Sequence, residues 1–215
     1  MQTAIFDLDG TITRHDTLIA YIAGFLAQRG PLSLLRFVRT LPALVAFLAH
    51  RDRGRLKSAV IRATLGGVHR LELARWTTQF VDRLLRTGMH ESALLAIAQH
   101  RRSGDALILL SASPDLYVPE IAARLGFSRT ICTGVRWYGD QLDGALTTHN
   151  RRGQEKARCV SELRAQDPAG TAVAYGNAAS DIPHLRLVDR GVLVNARGAL
   201  RTLARDAGIE CVDWR

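Results

Sequence analysis

The sequence FDLDGT at residues 6–11 places two aspartates next to a glycine turn. Residues 2–8 are predicted as a β-strand, in which alternate side chains point to the same side. Asp7 and Asp9 therefore leave the strand end together, and Gly10 allows a sharp turn beside them. Two adjacent carboxylates repel each other unless a cation or a proton transfer uses them. The pattern suits a Mg²⁺-dependent nucleophilic carboxylate with an acid–base partner. The alternative is an Asp-rich turn that only ends a strand.

Three further motifs follow in a fixed order. An apolar run at residues 107–110 ends in SASP, Lys156 lies in RGQEKA at the start of a helical pattern, and VAYGNAASD ends at Asp181. Over residues 5–194 this ordered set resembles the haloacid dehalogenase superfamily of phosphohydrolases. The most similar branch is subfamily IB, which contains phosphoserine phosphatase and phosphatidylglycerophosphatase-type enzymes.

The resemblance and the order of predicted elements give the same fold class. Strands alternate with helices, which implies an α/β, Rossmann-like core with a parallel sheet and helices on both faces. Residues 17–100 instead show mainly helical spacing, as expected for an inserted helical cap of the C1 type. We therefore expect a core domain at residues 1–15 and 91–215 and a cap domain at residues 16–90.

The resemblance implies a role for each acid of the first motif. Asp7 is expected to be the nucleophile that forms an aspartyl-phosphate. Asp9 is expected to protonate the leaving group and then to activate water. Mg²⁺ is the implied cofactor, with Asp7, the backbone carbonyl of Asp9, Asn177 and Asp181 as ligands.

The second and third motifs are expected to bind the phosphate group. Ser111 and the amide of Ala112 follow a strand end, where N–H groups can face phosphate oxygens. Ser113, before a proline, can instead cap a helix. Lys156 taken alone is an ordinary surface lysine, but it matches the phosphate-binding lysine of the family.

The fourth motif departs from the usual phosphoserine phosphatase pattern. Asn177 stands where those enzymes carry an aspartate, so the expected ligand is neutral. The alternative is that Asn177 begins a turn or a cap. Asp16 matches an acid that contacts the substrate's amino group in those enzymes, and it also suits the N-cap of the next helix. His15, His149 and His184 lack metal-ligand spacing and are expected to be loop or surface residues.

Composition limits the partners and the compartment. With 215 residues, 47% of them hydrophobic, the chain can bury a core, and its net charge of +9 points to anionic partners. No aromatic-rich basic stretch for base stacking is present, so no specific nucleic acid is expected. The three cysteines are far apart, which favours a reducing cytoplasm. No signal peptide is expected, and the uncharged runs at residues 17–28 and 40–49 are shorter than the ~20 residues of a membrane span.

The cap leaves the substrate open between two classes. Residues 32–57 are apolar and rich in arginine, so they can lie on an anionic membrane, or they can pack as an ordinary roof over the site. The substrate is accordingly a small phosphorylated metabolite, such as a phosphoserine-like compound, or a phospholipid head-group monoester. The rival function is a non-catalytic protein of this fold that binds anionic lipid or nucleic acid.

Overall fold

The computed structural model describes residues 2–214 and contains a parallel sheet, a helical insertion and a small hairpin. The expected core bounds at residues 1 and 215 lie outside the described residues. Eight strands are present in this part of the chain: β1 Gln2–Phe6, β2 Ala106–Pro114, β3 Arg129–Thr133, β4 Val135–Tyr138, β5 Gln141–Leu146, β6 Thr171–Gly176, β7 Arg190–Val194 and β8 Glu210–Val212.

Nine α-helices and two 3-10 helices accompany these strands within residues 2–214. The α-helices are α1 Thr17–Gln28, α2 Leu41–His50, α3 Arg53–Leu65, α4 Arg70–Thr87, α5 Glu91–Arg102, α6 Val118–Leu125, α7 Gln154–Gln166, α8 Ile182–Leu185 and α9 Gly198–Asp206. The 3-10 helices are Pro31–Thr40 and Ala179–Asp181.

The main sheet is parallel and carries a core on each face. Its strand order is β3-β2-β1-β6-β7-β8, and every neighbouring pair is parallel. Within β1, Ala4 and Phe6 belong to one buried cluster and Ile5 belongs to the other. Because alternate side chains of one strand enter both cores, helices must cover both faces. The predicted α/β fold class is confirmed, and the carboxyl ends of β1, β2 and β6 meet at one edge.

The helical insertion between β1 and α5 is held together by aromatic side chains. Trp76 of α4 donates a 3.1 Å hydrogen bond to the carbonyl of Tyr21 in α1. The ring of Tyr21 contacts Phe80 of α4 and Tyr117 beside α6, with centroids 5.1 and 4.6 Å apart. This cluster joins the inserted helices to the core. The division at residues 15/16 and 90/91 remains our proposal.

The region after α6 differs from the prediction. The sequence pattern predicts a hairpin whose strands cover residues 131–136 and 141–146, but β3 belongs to the main sheet and only β4 pairs with β5. Gly134 separates the two strands. A Cβ at this position would lie 2.4 Å from Thr147 Oγ1, so any larger residue would require the Thr147 side chain to shift.

The hairpin formed by β4 and β5 packs against the helical insertion. Gly67 donates a backbone hydrogen bond of 2.8 Å to Leu142, and Arg70 donates one of 2.8 Å to Asp140. A Cβ on Gly144 would lie 2.7 Å from the backbone nitrogen of Arg62 in α3. The hairpin therefore lies in direct backbone contact with helices that are distant from it in sequence.

One helical segment changes the expectation about membrane spans. Within the described residues, Pro31–His50 is long and apolar enough to cross a membrane by length and composition. The prediction counted uncharged runs, which Arg36 and Arg39 interrupt. The 3-10 helix nevertheless continues into α2, so the apolar helical segment has 20 residues.

Candidate active site

Asp7 lies at the carboxyl end of β1, where the first motif leaves the sheet. Its backbone N–H donates a 3.0 Å hydrogen bond to the carbonyl of Tyr175 in β6. The side chain is 7% exposed. Gly10 then turns with a φ of +77°, and a Cβ there would lie 2.0 Å from Asn177 Nδ2. The glycine of the motif is therefore required for the first and fourth motifs to approach each other.

The carboxylate of Asp9 is held at both oxygens by hydrogen bonds. Oδ1 accepts from the backbone N–H of Thr17 at 2.7 Å and from its hydroxyl at 2.6 Å. Oδ2 accepts from the hydroxyl of Ser113 at 2.6 Å. Burial raises the pKa of Asp9, and the bonds from Ser113 and Thr17 oppose that rise. Asp9 is thus a positioned acid whose proton is retained to higher pH than usual.

Lys156 joins the first and fourth motifs through its ammonium group. Its Nζ lies 2.7 Å from Asp7 Oδ1 and 2.8 Å from Asp181 Oδ1. All three side chains are buried. Helix α7 begins just before Lys156, and Gly153 at its N-cap has a positive φ of 59°. Lys156 is therefore not an ordinary surface lysine, which was the alternative for this residue taken alone, because its partners come from distant parts of the chain.

Asp181 fixes the loop that follows β6. Its Oδ2 accepts hydrogen bonds from the backbone N–H groups of Asn177 at 3.1 Å and Ala178 at 3.0 Å. A Cβ on Gly176 would lie 2.7 Å from the Asp181 Cβ, so only glycine allows the close turn. Asn177 is part of this turn, and its Oδ1 accepts from the Thr11 hydroxyl at 3.4 Å.

The buried cluster contains two carboxylates and one ammonium. Burial raises the pKa of Asp7, and Lys156 opposes the rise. Burial also disfavours the ionised form of Asp181, but the charge of Lys156 together with the hydrogen bonds from Lys156 and Ala178 and the other nearby groups outweighs it, so the pKa of Asp181 is lowered. Burial works to lower the pKa of Lys156, and the two carboxylates reverse this and raise it. When all three groups are ionised, the cluster has a net charge of −1, which a bound cation would offset.

The oxygen donors at this point fit a hard cation. Thr11 Oγ1 lies 3.4 Å from both Asp7 Oδ2 and Asn177 Oδ1, so these two oxygens share one small region. Within residues 2–214, no three His, Cys, Asp or Glu side chains form a metal-binding group. The reason is that Asp9 turns its carboxylate toward Thr17 and Ser113, and Asn177 replaces an acid. Mg²⁺ commonly takes only one or two carboxylates and keeps several waters, so the set fits that ion.

The second motif lies at the end of a strand that is longer than predicted. The sequence pattern predicts a helix over residues 114–125, but the helix begins at Val118 and Ser113 is still in β2, so Ser113 does not cap a helix. Its hydroxyl binds Asp9 instead. Ser111 is fully buried, and its Oγ accepts from the Ser113 N–H at 3.0 Å. The contact to Asp9 could not be predicted from the sequence, because Ser113 was interpreted as a helix cap. Its side chain points in a different direction as part of the strand β2.

Lys57 is a second site lysine, and the sequence did not identify it. Its Nζ, from α3, donates to the carbonyl of Ala112 at 2.5 Å and to Asn150 Oδ1 at 2.6 Å. Burial lowers the pKa of Lys57 to about 8. In the sequence it is one of many basic residues in the inserted region, so no local signal sets it apart.

A cavity of about 610 Å³ connects these groups. It is lined by Asp7, Asp9, Lys156, Asn177 and Asp181, and also by cations and apolar side chains of the insertion. The latter set includes Arg53, Leu56, Lys57, Val60, Leu18 and Ile19. All four motifs therefore contribute to one cavity, the second through Ala112 and Ser113, while the predicted phosphate-binding Ser111 lies buried behind them and is not part of the lining.

Two further predictions have different outcomes. Asp16 is exposed, and its Oδ1 accepts from the Leu18 N–H at 3.0 Å, so it caps α1 while it also lines the cavity.

His184 was expected in a loop or at the surface, but it is 1% exposed. Helix α8 turns its ring inward, and Nδ1 lies 4.0 Å from Asp181 Oδ1. Burial lowers the pKa of His184 to about 3, so the ring is neutral.

Known proteins share this arrangement of sequence and fold. Residues 4–186 match the family model described as haloacid dehalogenase-like hydrolase. The chain is 31% identical to Protein CicA of Caulobacter vibrioides over 86% of this chain and 82% of that protein. It is 26% identical to the phosphoserine phosphatase SerB1 of Mycobacterium tuberculosis over 99% of this chain and 70% of that one.

A solved structure has the same fold along the whole chain. It is a protein of unknown function from Bordetella pertussis Tohama I, with a TM-score of 0.81 and 22% identity, covering 99% of this chain and 98% of that one. The chain belongs to the haloacid dehalogenase-like hydrolases, in the branch of phosphatases similar to phosphoserine phosphatase.

Proposed function

We propose that the chain is a Mg²⁺-dependent phosphomonoester hydrolase that works through an aspartyl-phosphate on Asp7. The observation that carries this proposal is the 2.7 Å contact between Asp7 Oδ1 and Lys156 Nζ at the base of the cavity. Asp7 approaches the phosphorus atom, and Lys156 offsets the repulsion between its carboxylate and the phosphate oxygens. The ester bond to the leaving group breaks as the acyl-phosphate bond forms.

Asp9 moves the proton in both halves of this reaction. Its raised pKa lets it hold a proton, which it gives to the departing alkoxide. As a carboxylate it then takes a proton from the water that attacks the phosphorus atom. The bonds from Thr17 and Ser113 hold it in one orientation during both steps.

Binding of the phosphate group involves Ser111, Ala112 and Lys156. The Ser111 oxygen already accepts from Ser113, which leaves its hydroxyl proton for a phosphate oxygen. We assign the amide of Ala112 to a second oxygen. Asp7, Asn177, Asp181 and the backbone carbonyl of Asp9 would hold Mg²⁺, which would neutralise negative charge on the phosphate.

The substrate is a small phosphorylated metabolite or a phospholipid head-group monoester. The similarity to SerB1 supports a phosphoserine-like compound, with Asp16 near its amino group. The apolar lining from Leu18, Leu56 and Val60 supports a lipid-like leaving group. Turnover of O-phospho-L-serine, p-nitrophenyl phosphate and a lysophospholipid phosphomonoester, compared at equal enzyme concentration, ranks these classes.

We propose a cytoplasmic location, which the three free thiols of Cys132, Cys159 and Cys211 support.

The aspartyl-phosphate can be trapped chemically. Enzyme quenched in acid during turnover and reduced with borohydride should carry homoserine at position 7, detected by peptide mass spectrometry.

Asp7→Asn should abolish turnover, because an amide cannot form the acyl-phosphate. Asp9→Asn should slow both half-reactions ~10²–10⁴-fold. Near-wild-type rates in Asp7→Asn would refute this mechanism. Absence of turnover by the wild type with all three esters in the presence of Mg²⁺ would favour the non-catalytic alternative, in which the basic surface only binds anionic lipid or nucleic acid.

A further inference from the structure

The outward side of the segment Pro31–His50 is apolar. In the described part of the chain, fourteen large hydrophobic side chains are exposed, and eight of them lie in this segment. They are Leu32, Leu34, Leu35, Val38, Leu41, Leu44, Val45 and Leu48. We call this set the apolar face. Soluble domains rarely leave so many neighbouring hydrophobic side chains in water without a partner.

The inward side of the same segment is already in contact with the protein. Phe37 packs on the main buried cluster, and Arg36 Nη1 donates a 2.9 Å hydrogen bond to the carbonyl of Thr64 in α3. Ser33, Phe37, Thr40 and Phe47 are half-buried at helical spacing. A helix that served only as a roof would turn its leucines inward. This segment turns its leucines outward, so they can contact an apolar surface outside the protein.

The charge around the apolar face determines which partner fits. Residues 17–65 contain eight basic residues and one acidic residue. Arg39, Arg51, Arg53 and Arg55 are exposed. The acidic residue is Asp52, which pairs with Arg55 at 3.2 Å. An apolar face bordered by cations is complementary to an anionic lipid surface, where acyl chains lie under negative head groups.

We propose that the apolar face docks onto an anionic lipid bilayer, with the segment lying along the membrane surface. The bond from Arg36 to Thr64 and the packing of Phe37 hold the inner side to α3, so the segment does not cross the bilayer. Helix α3 also supplies Leu56, Lys57 and Val60 to the cavity. If the proposed phosphatase function holds, this contact presents the site to phosphomonoesters carried by the membrane; the docking itself does not depend on that function.

Vesicle co-sedimentation tests the docking. Protein comprising residues 1–215 is mixed with vesicles of phosphatidylcholine alone or of phosphatidylcholine with phosphatidylglycerol, over a range of salt concentrations. We expect it to pellet with the anionic vesicles, to remain in solution with the neutral ones, and to be released as salt screens the attraction. Equal recovery on both vesicle types, or on neither, would overturn the proposal.

Matched variants separate the apolar and charged contributions. The triple change Leu35→Gln, Val45→Gln and Leu48→Gln should abolish pelleting. The same change at exposed Leu71, Leu95 and Leu203 should not. Arg39→Gln with Arg51→Gln should weaken binding about 25-fold, from roughly fivefold for each arginine near the surface, whereas Arg83→Gln with Arg86→Gln should have no such effect. Equal losses in the control variants would contradict the assignment.

Two more readouts identify other uses of the face. Hydrolysis of p-nitrophenyl phosphate without lipid should be equal in the wild type and the Leu35, Val45 and Leu48 variant, which also verifies folding. If the wild type shows no turnover, the phosphatase proposal fails while the pelleting result still stands.

The face would be assigned to self-association if the wild type is a dimer in light scattering, the Leu35, Val45 and Leu48 variant is a monomer, and neither binds vesicles. Protein released only by detergent, and not by salt, would indicate insertion across the bilayer. Either result would overturn surface docking.

Discussion

Ser113 donates a 2.6 Å hydrogen bond to Asp9 Oδ2, and Thr17 holds the other oxygen of the same carboxylate. The two contacts come from opposite sides, since Thr17 begins the helical insertion and Ser113 lies at the end of β2. The orientation of the proposed acid–base residue therefore depends on both parts of the chain.

Ser113→Ala should shift the pH dependence of catalysis. The bond from Ser113 lowers the pKa of Asp9, so its removal raises that pKa. Because Asp9 must be protonated to act as an acid, the alkaline limb of kcat/KM should move to higher pH. Loss of orientation should also lower kcat about 10-fold. Profiles with p-nitrophenyl phosphate measure both effects, with the remote Ser128→Ala as control. An unchanged profile would show that the bond does not tune Asp9.

Asn177→Asp should lower the Mg²⁺ concentration needed for half-maximal rate. The change adds a negative charge where Asn177 Oδ1 shares a region with Asp7 Oδ2. The stabilisation of the protein by Mg²⁺ against heat should rise in parallel, which gives a second readout. Asn150→Asp adds the same charge elsewhere in the cavity and should leave the Mg²⁺ requirement unchanged. Identical titrations for all three proteins would place Asn177 outside the coordination sphere.

Lys57 should bind the anionic part of a substrate's leaving group. Lys57→Met should raise KM for O-phospho-L-serine about 10-fold, as expected for the loss of one charge-assisted hydrogen bond, with a smaller effect on p-nitrophenyl phosphate. Burial lowers the pKa of Lys57 to about 8, so the side chain is charged below that pH and neutral above it. Wild-type KM should therefore rise above pH 8, and KM of the methionine variant should not. Lys57→Arg should remove the rise while it keeps the affinity; a KM that rises equally in all three would contradict this role.

Gly24→Ala should destabilise the helical insertion. A Cβ on Gly24 would lie 2.6 Å from the Trp76 ring, which is packed against Phe80 and Tyr21. Overpacking of this kind costs ~1–3 kcal/mol, more than the gain of up to ~1 kcal/mol in helix propensity. Urea unfolding measures the change. Trp76→Phe, which frees space at the contact, should restore part of the stability to the Gly24→Ala protein; a stabilising Gly24→Ala would show that the ring can move.

The paired acids could be predicted because their relationship is local. The predicted strand over residues 2–8 ends at Phe6, so strand alternation does not place the two acids, but Asp7 and Asp9 both line the cavity and the adjacent glycine has the positive φ that the turn needs. The parallel sheet was also predictable, since strand–helix alternation forces it. The meeting of all motifs in one cavity then follows from the carboxyl ends of neighbouring strands.

Contacts that join distant parts of the chain could not be predicted. Lys57 donates to the backbone carbonyl of Ala112, which is 55 residues away. Because every residue has a backbone carbonyl, the sequence does not indicate which one Lys57 contacts. His184 was expected in a loop or at the surface, but it lies in the short helix α8 and is buried. For Pro31–His50 the periodicity shows an apolar side, but the tertiary packing of Phe37 and Arg36 decides that this side faces outward.

The contact between the hairpin and the insertion limits which parts of the chain can be exchanged as a module. Residues 16–90 are contiguous, but the backbone bonds from Gly67 to Leu142 and from Arg70 to Asp140 connect them to a segment from the second half of the chain. A transplant of residues 16–90 into a relative would leave those donors facing a foreign hairpin. We therefore expect recombination between relatives to preserve the packing of the insertion on the rest of the chain only when the insertion and the hairpin β4–β5 are inherited together.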